Sequence, residues 1–287
     1  MKKRITMLII CILMVTMLMP MSVSADIGPK PSVHINFMDI GDELCYGTLL
    51  SKVKSTGPSY VWDGNPDYMR LGNLDIETWQ VFVDYEDEDG FYFLQESWIC
   101  SDSESLDWTY YPPAEFKVLL YYPETDTFVT SEIYERYAFD SYFIATMNEA
   151  GTGLNLVKSY DHSLEILGLV CRIIITIIAE LGVALLFGFA RKNLITVILK
   201  VNVVTQIILN VVLYIINYNQ GGFAFIFYYF ILEFLVFVAE YLAYRTIFAK
   251  KEGIRISKKK ILAYAFTANA GSLIVGIWIS SLIPQIF

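Results

Sequence analysis

The residues with the most chemical potential in this chain are carboxylates and amides set into long apolar runs. Glu180 lies in the run 164–190, Asn202, Gln206 and Asn210 in 194–218, Glu233 and Glu240 in 222–248, and Asn269 in 261–284. Arg172 shares the first run with Glu180. Asn202, Gln206 and Asn210 recur every four residues, so a helix places them in one stripe. Glu233 and Glu240 are seven apart, again nearly one face. Ionisable groups cost roughly 2.5–3.5 kcal/mol each on inserting into lipid, and a chain that keeps them there usually uses them. Two carboxylates sharing one apolar site cannot easily both ionise, so one of them holds a proton. That suits proton exchange, cation binding or acid–base work. Amides also have a plainer use, gluing helices together at about 0.6 kcal/mol on average.

Four elements must position these groups. Each run exceeds the roughly 20 residues a helix needs to cross a bilayer, and lipid leaves a single segment no other way to satisfy its backbone. Arg191 and Lys192 follow the first run. Lys250, Lys251, Arg255, Lys258, Lys259 and Lys260 follow the third, and the second connection has no Lys or Arg. The positive-inside rule therefore puts the first and third connections in the cytoplasm, with the N-terminal region and the C-terminal tail outside. Lys200 and Arg245 sit near cytoplasmic ends, where long side chains snorkel. Depth then predicts two polar layers. An outer layer pairs Arg172 with Glu233. An inner carboxylate–amide cluster gathers Glu180, Asn202, Gln206, Glu240 and Asn269.

The segment 1–25 opens with Lys2, Lys3 and Arg4, continues apolar, and ends in Val23-Ser24-Ala25. These are the parts of a cleavable signal peptide. Residues 26–147 then form an exported domain, and 148–163, with Gly151 and Gly153, a linker into the membrane. From Asp26 to His162 there are 25 Asp and Glu against 7 Lys and Arg, a net of −18 inside a whole-chain charge of −9. So acidic an exported part argues against nucleic acid and leaves an extracytoplasmic ligand or protein as its expected partner.

The exported part reads as small and α+β. Val33, Ile35 and Phe37 alternate along a first strand over 32–37, and 44–50 is a second. Asp75 is placed to cap a short helix reaching Tyr85, although the apolar spacing there also allows a strand. Asp89-Gly90 turns the chain into a strand over 91–100. Pro123-Glu-Thr-Asp126 joins 116–122 and 127–134 as a hairpin, and 137–147 is the last strand. The fold class is thus an exported α+β domain followed by an all-α four-helix transmembrane bundle.

Other sites are sparse. Cys45 and Cys100 are the only exported cysteines, and an oxidising compartment permits a disulfide between them as readily as two free thiols. Aligned on Gly90, the acidic stretch 84–90 puts Asp87, Asp89 and Glu96 at calcium-loop positions, but Tyr85 falls where a carboxylate is required. A solvated acidic turn is the simpler expectation, and no metal or cofactor is called for. His34 and His162 are the only histidines, with no metal or triad spacing around them.

Glu180, Asn202-Val-Val-Thr205-Gln206 with Asn210, Glu233 and Glu240 followed by Tyr244-Arg245, and Ala268-Asn269-Ala-Gly-Ser272 carry a resemblance. In these the membrane part resembles a widespread family of uncharacterised bacterial four-helix membrane proteins. Asp26-Ile-Gly-Pro-Lys-Pro-Ser32 and Tyr137-Ala-Phe-Asp-Ser-Tyr142 are similar to segments of uncharacterised exported-domain proteins. The resemblance implies an architecture and no activity. Glutamate proteases of the CAAX type need an adjacent Glu-Glu-x-x-x-Arg, which the seven-residue separation here does not supply. The expected function is therefore non-enzymatic: an exported binding or sensing domain anchored in the cell membrane by a multi-pass bundle. The alternative is a proton- or cation-coupled transporter or an intramembrane enzyme using the buried glutamates. Membrane lipid is a partner on either expectation, and a homo-oligomer is compatible with both.

Overall fold

The computed structural model describes residues 28–41, 43–101, 104–249 and 256–282. The expected signal segment 1–25, the basic residues Lys250, Lys251 and Arg255, and Pro284 lie outside the described residues. The chain divides into two compact units, one ending at Tyr160 and one beginning at Asp161.

The first unit is a nearly closed mixed β-barrel. Its strands are β1 (Ser32–Met38), β2 (Cys45–Ser51), the small hairpin β3 (Ser55–Thr56) and β4 (Ser59–Tyr60), β5 (Trp98–Cys100), β6 (Leu106–Trp108), β7 (Glu115–Tyr122), β8 (Thr127–Ser131), β9 (Tyr134–Glu135), β10 (Asp140–Met147) and β11 (Gly153–Lys158). The main sheet runs β5-β2-β7-β8-β11-β10-β1-β6, with β9 added to β7. Most neighbours are antiparallel, but β1 with β10 and β8 with β11 are parallel. The two ends of the sheet come back together: the Trp98 ring on β5 lies 5.4 Å from the Trp108 ring on β6.

Period-two alternation decides what fills the barrel. Val33, Ile35 and Phe37 point inward from β1, Val118, Leu120 and Tyr122 from β7, and Leu154 and Leu156 from β11. The α-helix α1 (Ile76–Asp84) covers the opposite face of β2 and β7. Its Trp79 and Phe82 pack on Leu50, Leu119 and Tyr121. With both faces covered, β7 is apolar along nearly its whole length, as a doubly buried strand should be. The choice between helix and strand after Asp75 is settled by the cap, whose Oδ1 accepts from the Thr78 amide at 2.8 Å.

Two expectations need correction. The expected linker 148–163 contains β11, which pairs with β10 and β8, so 137–147 does not hold the last strand. Leu154 and Leu156 are the alternating signal, hidden among Gly and Asn. The expected strand 91–100 forms only at Trp98–Cys100, plus an isolated bridge at Tyr92. Gln95 sits at φ 61° and interrupts it. The Gln95 side chain accepts from the Arg70 amide and donates to the Tyr60 carbonyl, both at 3.0 Å, which holds that kink in place.

The second unit is helical: α2 (His162–Leu186), α3 (Lys192–Phe248) and α4 (Lys258–Leu282). Among the described residues, α2 and α3 are long and apolar enough to cross a membrane. Helix α3 is broken at Gly221, whose φ of 79° and ψ of 175° suit glycine and end one helical arm before the next begins. The arms 192–220 and 222–248 fold back on each other, with Leu209, Leu213 and Ile216 packed on Tyr228 and Val236. The unit therefore holds four helical segments.

Gly47 on β2 sits where the barrel leaves no room for a side chain. A Cβ there would lie 2.5 Å from Cys100 Sγ and 3.0 Å from Leu120 Cδ2. Gly47→Ala is expected to destabilise the barrel by about 1–3 kcal/mol, the usual cost of overpacking. Thermal unfolding checks this, and an unchanged midpoint would contradict it.

Candidate functional site

All four helical segments contribute to one buried polar cluster. Glu240 sits at 0 % exposure, and both its oxygens have donors. Thr205 Oγ1 donates to Oε1 at 2.7 Å and Asn269 Nδ2 to Oε2 at 2.9 Å. One donor comes from the first arm of α3 and the other from α4. The Tyr244 hydroxyl donates a short hydrogen bond to Asn202 Oδ1. Glu180 comes in from α2, beside Asn202 and within electrostatic reach of Glu240. Tyr264 on α4 reaches both carboxylates electrostatically and packs its ring 5.6 Å from Tyr244.

Several atoms here are buried with no hydrogen-bond partner among the described residues. They include Gln206 Nε2 and Asn269 Oδ1, while the Glu180 carboxylate lies beside the Asn202 side chain and the Tyr264 hydroxyl beside that of Tyr244, each pair outside full hydrogen-bond geometry. Buried polar groups are nearly always satisfied, and the cost of one left alone is about 1–3 kcal/mol, more when it is charged. Their concentration here makes the cluster the candidate site of the helical unit.

The expected pairing of Arg172 with Glu233 gives way to a different arrangement. Arg172 Nε donates to Asn210 Oδ1 at 2.9 Å, and the guanidinium lies 5.5 Å over the Phe225 ring. Asn210 Nδ2 in turn reaches Gln206, at 2.9 Å to its carbonyl and 3.4 Å to Oε1. Depth alone suggested Glu233, but helix face decides contact, and the amide stripe is the face turned to α2. Glu233 is buried with its Oε2 lacking a partner. Lys200 and Arg245 are exposed. Thr205, Tyr244 and Tyr264 belong to the cluster although polarity did not single them out, because a hydroxyl in an apolar run carries little signal of its own.

In the barrel, Cys45 and Cys100 face each other in register across β2 and β5 as free thiols. Burial pushes the Cys45 thiol up to about 12 and raises that of Cys100 as well. The acidic stretch is closed by a lysine. Lys117 Nζ lies 2.9 Å from Asp87 Oδ1 and 2.5 Å from Asp89 Oδ2. The hydrogen bond from Lys117 holds the Asp89 carboxyl below the usual aspartate range, with attraction to the same ammonium adding to it. The remaining Asp87 oxygen accepts from the Asp89 and Phe91 amides. The carboxylates that a calcium loop would need are thus turned onto a cation of the chain itself.

No family model matches this chain, and neither a curated protein nor a solved structure matches it.

The two donors on Glu240 give a graded test. Glu240→Gln keeps an acceptor for one of them, whereas Glu240→Ala removes the acceptor of both and leaves Asn269 Nδ2 only the Ala265 carbonyl. The alanine variant is expected to be the less stable by about 1–3 kcal/mol. Folded yield and melting in detergent measure it, and equal behaviour of the two variants would show that the contacts carry no weight.

Proposed function

We propose that this chain is a polytopic membrane protein whose helical unit takes up a proton or a small monovalent cation at Glu180 and Glu240, with the acidic barrel exported. What carries the proposal is Glu180, fully buried with only the Asn202 amide beside its oxygens, next to a Glu240 whose oxygens are both filled. A carboxylate taken from water with so few donors needs a proton or a counter-cation. Glu240, held by Thr205 and Asn269, is the fixed charge. Glu180 is the group that loads and unloads. Its two oxygens, Asn269 Oδ1 and the Tyr264 hydroxyl would face a bound cation, and the free amide donor of Gln206 would hold water. Among the described residues, no group of three or more His, Cys, Asp and Glu is arranged to hold a metal ion, which favours a proton or monovalent cation.

Four crossings are supported by α2, the two arms of α3 separated at Gly221, and α4, with the basic connections on the cytoplasmic side. A binding or sensing role centred on the barrel stays second. Its lumen is filled by side chains such as Ile35, Leu49, Val118 and Phe143, which leaves only its outer face for a ligand.

An apolar cleft between the arms of α3, lined by Leu209, Val212, Tyr228 and Leu232, also reaches Thr205, the donor to Glu240. It offers an apolar carbodiimide a way in. In purified protein at neutral pH, Glu180 or Glu240 is expected to be modified, with Glu180→Gln and Glu240→Gln mapping the site. Protection by alkaline pH alone identifies a proton, and protection by sodium or potassium a cation. No modification before denaturation would make the cluster structural glue and the bundle an anchor.

Export makes a separate prediction. Directly opposed residues on antiparallel strands have Cα atoms about 4.5–5.5 Å apart, within the roughly 4.4–6.8 Å a disulfide spans. Cys45 and Cys100 from native membranes, denatured without reductant, are therefore expected to be bonded. Two free thiols at those positions would contradict this prediction and remove its support for export.

A further inference from the structure

The polar residues of α2 and of the first arm of α3 form a ladder that runs from one end of the helical unit to the buried cluster. Glu165 Oε1 accepts from Asn217 Nδ2 at 2.9 Å. Deeper, Arg172 Nε donates to Asn210 Oδ1 at 2.9 Å. Deeper again, Glu180 lies beside the Asn202 side chain. From rung to rung α2 advances by seven and then eight residues, and the arm runs back by the same numbers. That is the register of two antiparallel helices, with rungs about 10–12 Å apart at 1.5 Å per residue. At the outer end the Tyr214 hydroxyl and His162 Nδ1 are 2.6 Å apart. His162 is exposed, Glu165 and Arg172 are half-buried, and Asn210, Asn202 and Glu180 are buried. Burial therefore deepens toward the cluster.

The second arm of α3 adds a carboxylate between the last two rungs. Glu233 is 7 % exposed, with the Tyr229 hydroxyl beside its carboxylate and Oε2 without a hydrogen-bond partner among the described residues. It is within electrostatic reach of both Glu180 and Glu240, and Tyr229 is within reach of Arg172. The other end of the unit is built differently. Four or eight residues beyond the cluster on each segment, Ala184, Leu194, Ile198, Phe248, Ile261 and Ala265 join one buried apolar core. The Phe189 ring closes it, 6.0 Å from Phe248 and 5.1 Å from Tyr264. Amides alone suffice to hold helices together. Glue does not call for Glu165 and Glu233, each costly in apolar surroundings, nor for polarity along one half of the unit only.

We propose that the Glu180–Glu240 site loads and unloads along this ladder, from the end at which α2 begins, with Glu233 as the relay to Glu180 and the aromatic core barring the other end. The inference rests on the reading of Glu180 as the group that loads. In the proton case the Glu233 carboxyl gives its proton to the Glu180 carboxylate, which leaves Glu233 charged and ready to take the next proton from the Glu165 side. No further reactant is consumed. A monovalent cation would move between the same two carboxylates. With the topology proposed above, the loading end faces outside.

The test follows the carboxyl bands of Glu180 by infrared spectroscopy, identified by their loss in Glu180→Gln, in sealed vesicles of the full chain. Protein orientation is scored by protease cleavage within residues 26–160. The pH, or sodium or potassium at fixed pH, is stepped on one side at a time. The bands are expected to follow a step on the side of His162 and to stay still for a step on the other. Glu233→Gln is expected to slow the response by about a hundredfold with its amplitude kept, and Glu233→Asp to restore most of the rate. A purely structural Glu233 would change amplitude or melting and leave the rate alone. A response from the other side only, or an unchanged rate in folded Glu233→Gln, overturns the ladder and leaves the Glu180 reading standing. Glu180 bands that ignore every step on both sides overturn that reading, and the ladder with it.

Discussion

A carboxylate removed from water must find donors for its oxygens, and the way Glu240 finds them fixes how the helical unit is put together. Thr205 reaches it from the first arm of α3 and Asn269 from α4. Neither bond forms unless α3 folds back at Gly221 and α4 lies alongside it. The apolar packing of Tyr244, Phe248, Ile261 and Ala265 around this point supplies area but little register, since aliphatic and aromatic surfaces slide past one another at low cost. The polar contacts, Tyr244 with Asn202 among them, are what choose one register out of many.

The barrel handles buried charge differently, and the contrast locates the chemistry. Lys117 is nearly as buried as the core around it, yet its ammonium has Asp87 and Asp89, and Asp87 has two backbone amides besides. That network is complete and leaves nothing for a ligand to do. Burial draws the Lys117 ammonium down, and its hydrogen bonds to Asp89 and Asp87 more than reverse this. The Asp89 side of the pair is present at neutral pH and is lost as pH falls through the lowered carboxyl range. In the helical unit, Glu180 has no cation beside it among the described residues and only the Asn202 amide near its oxygens. Glu180 is the position at which the proposed proton or cation would complete the network.

Local features were legible in the residues, and long-range pairing was not. The alternation of Val33, Ile35 and Phe37, the cap at Asp75 and the hairpin around Pro123 are written in short stretches, and the structure forms β1, α1 and the β7–β8 pair there. The barrel was not legible, because its closure depends on parallel pairing of β1 with β10 and of β8 with β11. Such pairs join strands by register that no local signal encodes. The same distinction runs through the sites. Glu180, Asn202, Glu240 and Asn269 stood out as polar residues in apolar runs. Arg172 was assigned to Glu233 by depth and bonds Asn210 by face.

The most direct test of the account is infrared difference spectroscopy of the protein in lipid as pH is stepped through neutrality. The expected result is a protonated-carboxyl band that appears and disappears with pH and disappears altogether in Glu180→Gln. A spectrum with no such band in the wild type, or one left unchanged by Glu180→Gln, would mean that Glu180 neither takes up nor releases a proton, and would contradict proton exchange at this cluster.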